Sequence, residues 1–335
     1  MTRPTAPDGP HRPSPRWPTV RNAVAPLLSD SRSVAAMFSP LRTTPQLDAP
    51  SLPWTEITQV DLGHRGQLTV RHTPNIAASD TIPVVLLHGI TLNADVNFFA
   101  LADLFGPTRP VIVFDLPNHG RGIRLDHFTF EDVADDVIAV LDRLGVQEAT
   151  LCGYSLGGIV SMVTADRHPD RAAGLIVQAA AMRYGVGIRE RVFLHAVAAA
   201  HKLGLDQATR GLPARYWRAS ARTSKHAAAR QLWVEQQLTV SGKPRYATVW
   251  RAVQRNDHRV LRSSAPTAVL VLTADRVCPP VLQNEAAELL GAHVFRVDAD
   301  HDVPVADPAK FARATEKALR WVDSQRRDRS PLPRC

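Results

Sequence analysis

The chain has 335 residues, 44% of them hydrophobic and 21% charged, with a formal net charge of +8. That length and balance exclude a minimal single-core unit and a disordered or fibrous chain, and they fit one large α/β domain with an insertion or two small domains. No apolar run approaches the roughly 18 residues of a membrane-spanning helix, and the first fifty residues offer nothing longer than Val34-Ala35-Ala36-Met37-Phe38 as a signal core, which argues against export.

Residues 1–53 hold 11 of the 26 prolines and read as a disordered or loosely docked tail. Thr55 to Leu62 and Gly66 to Thr73 alternate around Gly63-His64-Arg65-Gly66, as the two strands of a hairpin should. Continuous apolar runs follow at Pro83 to Leu87, Pro110 to Phe114, Glu148 to Gly153, Ala173 to Gln178, Thr267 to Thr273 and His293 to Val297. Such runs suit strands buried on both faces of a parallel sheet. Helical periods occupy Phe130 to Leu144, Leu156 to His168, Pro279 to Leu290 and Pro308 to Val322. The alternation predicts an α/β fold with a doubly wound, mostly parallel eight-stranded sheet, its core spanning residues 54–181 and 263–323. Residues 324–335, charged and proline-containing, read as a flexible C-terminal tail.

One interval breaks the rhythm. Residues 182–262 separate two strands by about eighty residues, where a crossover needs only a dozen or so, and their pattern predicts an inserted helical lid. The lid carries 16 Lys and Arg against 4 Asp and Glu, so it is the basic part of a chain whose remainder is acidic. It also holds Tyr184, Phe193, Tyr216, Trp217, Trp233, Tyr246 and Trp250, which either line a pocket or pack the lid onto the body.

Gly153-Tyr154-Ser155-Leu156-Gly157 lies where a strand hands over to a helix. A nucleophilic serine raised on so sharp a turn needs Gly153 and Gly157 to remove colliding side chains, and the amide of Leu156 points toward a developing oxyanion. A serine hydroxyl requires a base, and the base an orienting carboxylate. Asp275 closes the strand Thr267 to Thr273, and His301 follows the strand His293 to Val297. The order Ser155, Asp275, His301 is the one expected when a triad is built on such a sheet. His301 could instead be a loop histidine tied to Asp300 and Asp302, but position and order favour the base. His119 and His88 precede Ser155, and His293 begins a strand, so all three are weaker candidates. Gly89 lets the backbone approach a substrate, the amide of Ile90 supplies a second oxyanion donor, and His88 reads as a buried support for that loop. Asp115 to Gly122 reads as loop architecture near the site. Cys278 lacks a base of its own and reads as a small buried hydrophobe. Cys152, Cys278 and Cys335 form no CxxC pair, which leaves a reducing cytoplasm as the expected compartment and no Cys-rich zinc site.

HGIT at 88–91, DLPNHGRG at 115–122, GYSLGG at 153–158, TADRVCPP at 273–280 and DADHDVP at 298–304 together resemble the α/β-hydrolase superfamily, over about residues 55–323. The resemblance implies Ser155 as nucleophile, His301 as base, Asp275 as orienting acid and the amides of Ile90 and Leu156 as oxyanion hole. Haloalkane dehalogenases and epoxide hydrolases of the superfamily carry Asp at the nucleophile position, so Ser155 argues against both. Asn118 stands where many relatives have Gly, and Leu156 where many have Met.

The expected activity is hydrolysis of a carboxylic ester with an apolar acyl or alcohol part through an acyl-enzyme, with no metal or organic cofactor. Thioester, lactone, carbon-carbon and cyanohydrin cleavage use the same apparatus. A slow-turnover ligand sensor, whose basic lid recruits an anionic partner or a membrane surface, is the rival from another class. A nucleic-acid partner is not expected, because the cations form no recognisable binding motif.

Overall fold

The structure, a computed structural model, describes residues 49–76, 81–106, 108–184, 233–234, 236–237, 246–255 and 257–329. Eight strands form one sheet: β1 (Glu56–Asp61), β2 (Gln67–His72), β3 (Val84–Leu87), β4 (Val111–Phe114), β5 (Ala149–Tyr154), β6 (Ala172–Gln178), β7 (Thr267–Leu272) and β8 (His293–Val297). Their spatial order is β1-β2-β4-β3-β5-β6-β7-β8. The first two pairings, β1 with β2 and β2 with β4, are antiparallel and all others parallel. The doubly wound, mostly parallel eight-stranded sheet read from the apolar runs is therefore present, hairpin included. Gly63 and Gly66 take positive φ at the hairpin turn.

Seven α-helices are described: α1 (Ala94–Phe98), α2 (Phe130–Arg143), α3 (Leu156–Arg167), α4 (Tyr246–Arg255), α5 (Pro280–Leu289), α6 (Val303–Ala306) and α7 (Pro308–Arg329). The pleat divides the core. Val85, Leu87, Ile112, Leu151, Leu175 and Val177 face one way, toward α2 and α3; Val84, Leu86, Val113, Ile176 and Leu270 face the other, toward Phe311, Leu319 and Val322 of α7. Helix α2 shows why the local sequence folds as it does. The Thr129 hydroxyl accepts the Asp132 amide at 3.1 Å, Glu131 and Asp132 sit in the positive first turn, and Phe130, Val133, Ala134, Val137, Val140 and Leu141 bury one stripe.

The C-terminal boundary differs from expectation. Helix α7 runs on to Arg329, so residues 324–329 are helix rather than the start of a flexible tail. The residues after Val322 are polar, but none breaks a helix before Pro331. Asp323 pairs with Arg109 at 2.8 Å, and the Ser324 hydroxyl donates to the Trp321 carbonyl at 2.7 Å. At the other end, ordered packing begins slightly before residue 54. Leu52 is partly buried against the α7-side core, and the indole of Trp54 is buried, donating to Asp95 at 2.9 Å.

Most of the interval 182–262 expected to form a lid lies outside the described residues, as do Phe193, Tyr216, Trp217 and residues 1–48. Its described stretches are 182–184, 233–234, 236–237, 246–255 and 257–262, and apolar side chains among them pack onto the body. Trp233 and Val234 are buried with Leu92, Val96, Phe99 and Val305, and α4 buries Val249, Ala252 and Val253 in the main core, with Trp250 packed against it. No helix among the described residues is long and apolar enough to cross a membrane.

Candidate active site

Strands β3, β5, β7 and β8 all deliver their carboxyl ends to one edge of the sheet, and each hands over to a loop that carries a group of interest. At the end of β5 the chain turns sharply into α3. Ser155 sits at this turn with φ 51° and ψ −112°, a conformation costly for a residue with a side chain. The turn is over-determined. The Ser155 amide donates to the Gln178 carbonyl at 2.8 Å, and its own carbonyl accepts the amides of Gly158 and Ile159. A Cβ at Gly153 would overlap the Gly157 carbonyl and the Ser161 hydroxyl, and one at Gly157 would overlap the Leu87 carbonyl. The two glycines expected from sequence thus have a steric reason, and the Ser155 hydroxyl is not used to cap α3.

That hydroxyl faces His301. The distance from Ser155 Oγ to His301 Nε2 is 3.1 Å, and His301 Nδ1 lies 2.8 Å from Asp275 Oδ2. A carboxylate only accepts, so Nδ1 carries the proton and Nε2 is left with a lone pair toward the serine. Asp275 Oδ1 accepts the amides of Val277 and Cys278, both at 2.8 Å, and Oδ2 also accepts Gln283 Nε2 at 2.9 Å. Burial disfavours the charged imidazolium of His301, but Asp275, backed by Asp300 and Asp302, prevails and holds its pKa above the ordinary 6.5. The sequence-level rival for His301 survives only in part. Asp300 does accept a hydrogen bond from this histidine, but from its backbone amide, at 2.8 Å, while the ring goes to Asp275. Asp300 also binds the Arg276 amide and guanidinium, which fastens the His301 loop to the Asp275 loop.

Tyr154, the first of the two variable residues of the Gly-x-Ser-x-Gly turn, carries no role in the sequence analysis. Its buried ring packs on His301 and Phe311, and its hydroxyl donates to the His301 carbonyl at 2.6 Å. The signal that could have found it is chemical. A tyrosine pointing into an apolar layer needs a partner for its hydroxyl, and the chain end facing it is the His301 loop.

On the other side of Ser155, the loop after β3 brings His88, Gly89 and Ile90 alongside. The His88 carbonyl accepts the Gly157 amide at 3.0 Å, and a Cβ on Gly89 would press on Tyr154 and on the Ser155 Cβ at 3.3–3.4 Å. Among the described residues neither the Ile90 amide nor the Leu156 amide donates to another group, which leaves both available to an incoming acceptor. His88 is a strut. Its Nε2 accepts the Leu116 amide at 2.8 Å, its Nδ1 donates to the Gly89 carbonyl at 2.8 Å, and burial pushes its pKa down. His119 is likewise buried and neutral, its pKa pushed down to about 3 first by burial. Asn118, with φ 67°, bonds Leu125 and Thr248 and joins the β4 loop to α4. Cys278 is fully buried, with the Tyr184 hydroxyl 3.4 Å from its sulfur. Among the described residues no group of three or more His, Cys, Asp and Glu is placed to hold a metal ion.

Comparison with known proteins identifies the fold family of the chain. The chain is 30% identical over 249 residues to a non-heme haloperoxidase-like protein of Mycobacterium phage D29, covering 71% of this chain and 87% of that one. Over 100 residues it is 38% identical to a pimeloyl-[acyl-carrier protein] methyl ester esterase of Neisseria meningitidis, a stretch that spans 30% of each protein. Among solved structures, an esterase of Thermogutta terrifontis superposes with a TM-score of 0.61 at 22% identity, covering 80% of this chain and 99% of that one, a likeness of fold. The family model for the alpha/beta hydrolase fold matches residues 82–305, and with the serine turn, its histidine and the sheet that presents them, the chain belongs to the alpha/beta hydrolase fold family.

Proposed function

We propose that the protein is a serine hydrolase that cleaves a carboxylic ester with an apolar acyl or alcohol part. The observation that carries this reading is the continuous line Ser155 Oγ, His301 Nε2, His301 Nδ1, Asp275 Oδ2, with gaps of 3.1 and 2.8 Å. In the first half-reaction Ser155 Oγ bonds to the ester carbonyl carbon as its proton passes to His301 Nε2. The carbonyl oxygen takes up the negative charge and is met by the amides of Ile90 and Leu156. Collapse breaks the carbon-oxygen bond to the alcohol, which leaves with the proton from Nε2. Water then repeats the sequence on the acyl-enzyme, giving the acid and restoring Ser155. Asp275 keeps Nδ1 protonated and stabilises the transient imidazolium. The same attack opens thioesters and lactones, so substrate class follows from the pocket rather than from the triad. The buried free thiols of Cys152 and Cys278 suit a reducing cytoplasm.

An apolar pocket is favoured by what surrounds the two catalytic loops. Leu92, two residues beyond Ile90, and Val305, four beyond His301, are buried in one apolar cluster with Phe99 and Trp233. The test is kcat/KM over a series of esters of increasing acyl length, at low and high salt, beside the matching thioesters and a lactone. Each buried methylene should contribute at most ~0.8 kcal/mol, roughly a fourfold gain, until the pocket is full. A flat series with a salt-sensitive preference for anionic esters would instead assign the basic insertion the recognition role.

A further inference from the structure

Gln283 lies on α5, beside the loop that carries Asp275. It is completely buried, and its amide is spent on three partners. Oε1 accepts the amide of Leu272, the last residue of β7, at 2.9 Å; Nε2 donates to Asp275 Oδ2 at 2.9 Å and to the Cys278 carbonyl at 2.6 Å. The orientation of the amide is forced. Turned over, it would set a carbonyl against a carboxylate and a second carbonyl, and an NH2 against the Leu272 N–H. One side chain therefore clamps the strand end, the carboxylate and the far side of the loop 273–278. It also completes the shell of Asp275. Oδ1 takes two backbone amides, Oδ2 takes Gln283, and the remaining acceptor direction on Oδ2 is the one His301 Nδ1 occupies.

We propose that Gln283 is a positioning residue that fixes Asp275 Oδ2 on the His301 Nδ1–H and, by sharing that oxygen, limits how strongly Asp275 holds a proton on His301. This rests on His301 being the base. A donor on Oδ2 draws off charge that would otherwise face the imidazole. The other charged or titratable groups facing His301 are Asp300 and Asp302 from its own loop, with Arg276 paired to Asp300, and the Tyr154 ring packed on the imidazole.

The experiment compares wild type, Gln283→Met and Gln283→Glu in the full-length protein, with kcat, KM and the pH profile of kcat/KM on a neutral chromogenic ester. Gln283→Met should lower kcat about tenfold or more with KM changed less than about twofold. Its acidic limb should move to higher pH by about half a unit or more, whereas Gln283→Glu, whose buried carboxyl beside Asp275 stays protonated and can still donate to Oδ2, should keep its limb nearer the wild type. In an Asp275→Asn background Gln283→Met should cost nothing more, because it acts through Asp275. A folded Gln283→Met with the wild-type limb and wild-type kcat overturns the proposal, as does an additive loss in the Asp275→Asn background. If Gln283→Met does not fold, Gln283→Leu is read in its place with the same expectations; loss of folding in both makes Gln283 a folding residue and also overturns the proposal. His301→Gln separates the two readings. An active His301→Gln removes the base itself, whereas an inactive one beside an unchanged Gln283→Met removes only the role given to Gln283.

Discussion

Two buried histidine and aspartate sets flank Ser155, and they differ in what the ring is allowed to touch. His301 gives Nδ1 to a carboxylate and keeps Nε2 for the serine hydroxyl. His88 has both nitrogens committed to backbone, and the nearby Asp115 goes to the amides of Ala94 and Arg121 instead of to the ring. Their pKa values move in opposite directions. Burial opposes charge at both, but only His301 has a carboxylate close enough to outweigh it. Burial also opposes charge on Asp115, where the neighbouring His88, Arg71 and two amides prevail and hold the carboxyl below its usual range. In the proposed mechanism a histidine serves as base where one nitrogen is left to the serine beside a carboxylate partner, and as a strut where both nitrogens are bonded to backbone.

The largest effects should fall on the first set. Ser155→Ala and His301→Gln are each expected to lower kcat by about four to six orders of magnitude, and Asp275→Asn by about four, with circular dichroism and melting close to wild type. A His301→Gln enzyme within tenfold of wild type would erase the distinction between the two sets. In the second set the cost should appear in stability. Asp115→Ala removes the acceptor of the Ala94 and Arg121 amides and leaves Arg71 with Asp95 as its carboxylate, and should cost about 1–3 kcal/mol in denaturant unfolding, while the surviving folded fraction retains kcat within a few-fold. A stable Asp115→Ala with its kcat lost would place Asp115 in the chemistry.

The pH responses should also separate. His301 must be neutral to act, so kcat/KM should fall as pH drops through a value above 6.5. Stability linkage at His301 has the opposite sense, because a raised folded-state pKa stabilises the protonated form and that contribution is lost as pH rises through it. At His88 and His119 the folded-state pKa is depressed, so stability is present above the ordinary histidine range and is lost as pH falls below it, toward about 3 for His119. His119→Gln should therefore flatten the acid side of the stability curve and leave the limb of kcat/KM in place. A shift of that limb would make His119 part of the proton path. The smallest effect is expected for Cys278→Ala, which keeps the backbone amide that binds Asp275 and should retain most of the activity. Loss as deep as in Ser155→Ala would contradict a purely packing role.

Much of this contrast could be read in the chain, for physical reasons. Six strands left continuous apolar runs and the two hairpin strands an alternating pattern, so all eight were visible, and the order of Ser155, Asp275 and His301 at strand ends follows from topology. The end of α7 was misread because exposed helical residues have the composition of a tail, although residues 324–329 contain no breaker. Gln283 and Tyr154 escaped because their roles depend on contacts across 8 and 147 positions, and neither has a local pattern of its own. For Gln283 a faint signal existed: with Leu282, Ala286 and Ala287 it lies on the buried stripe of α5, where an amide must find partners.

The most direct test is mass-spectrometric mapping of a fluorophosphonate adduct on the full-length protein. A single adduct on Ser155 is expected, formed faster as pH rises through the limb of His301 and absent from folded Ser155→Ala. Labelling at another serine, or none while ester turnover persists, would contradict the assignment of Ser155 as the nucleophile.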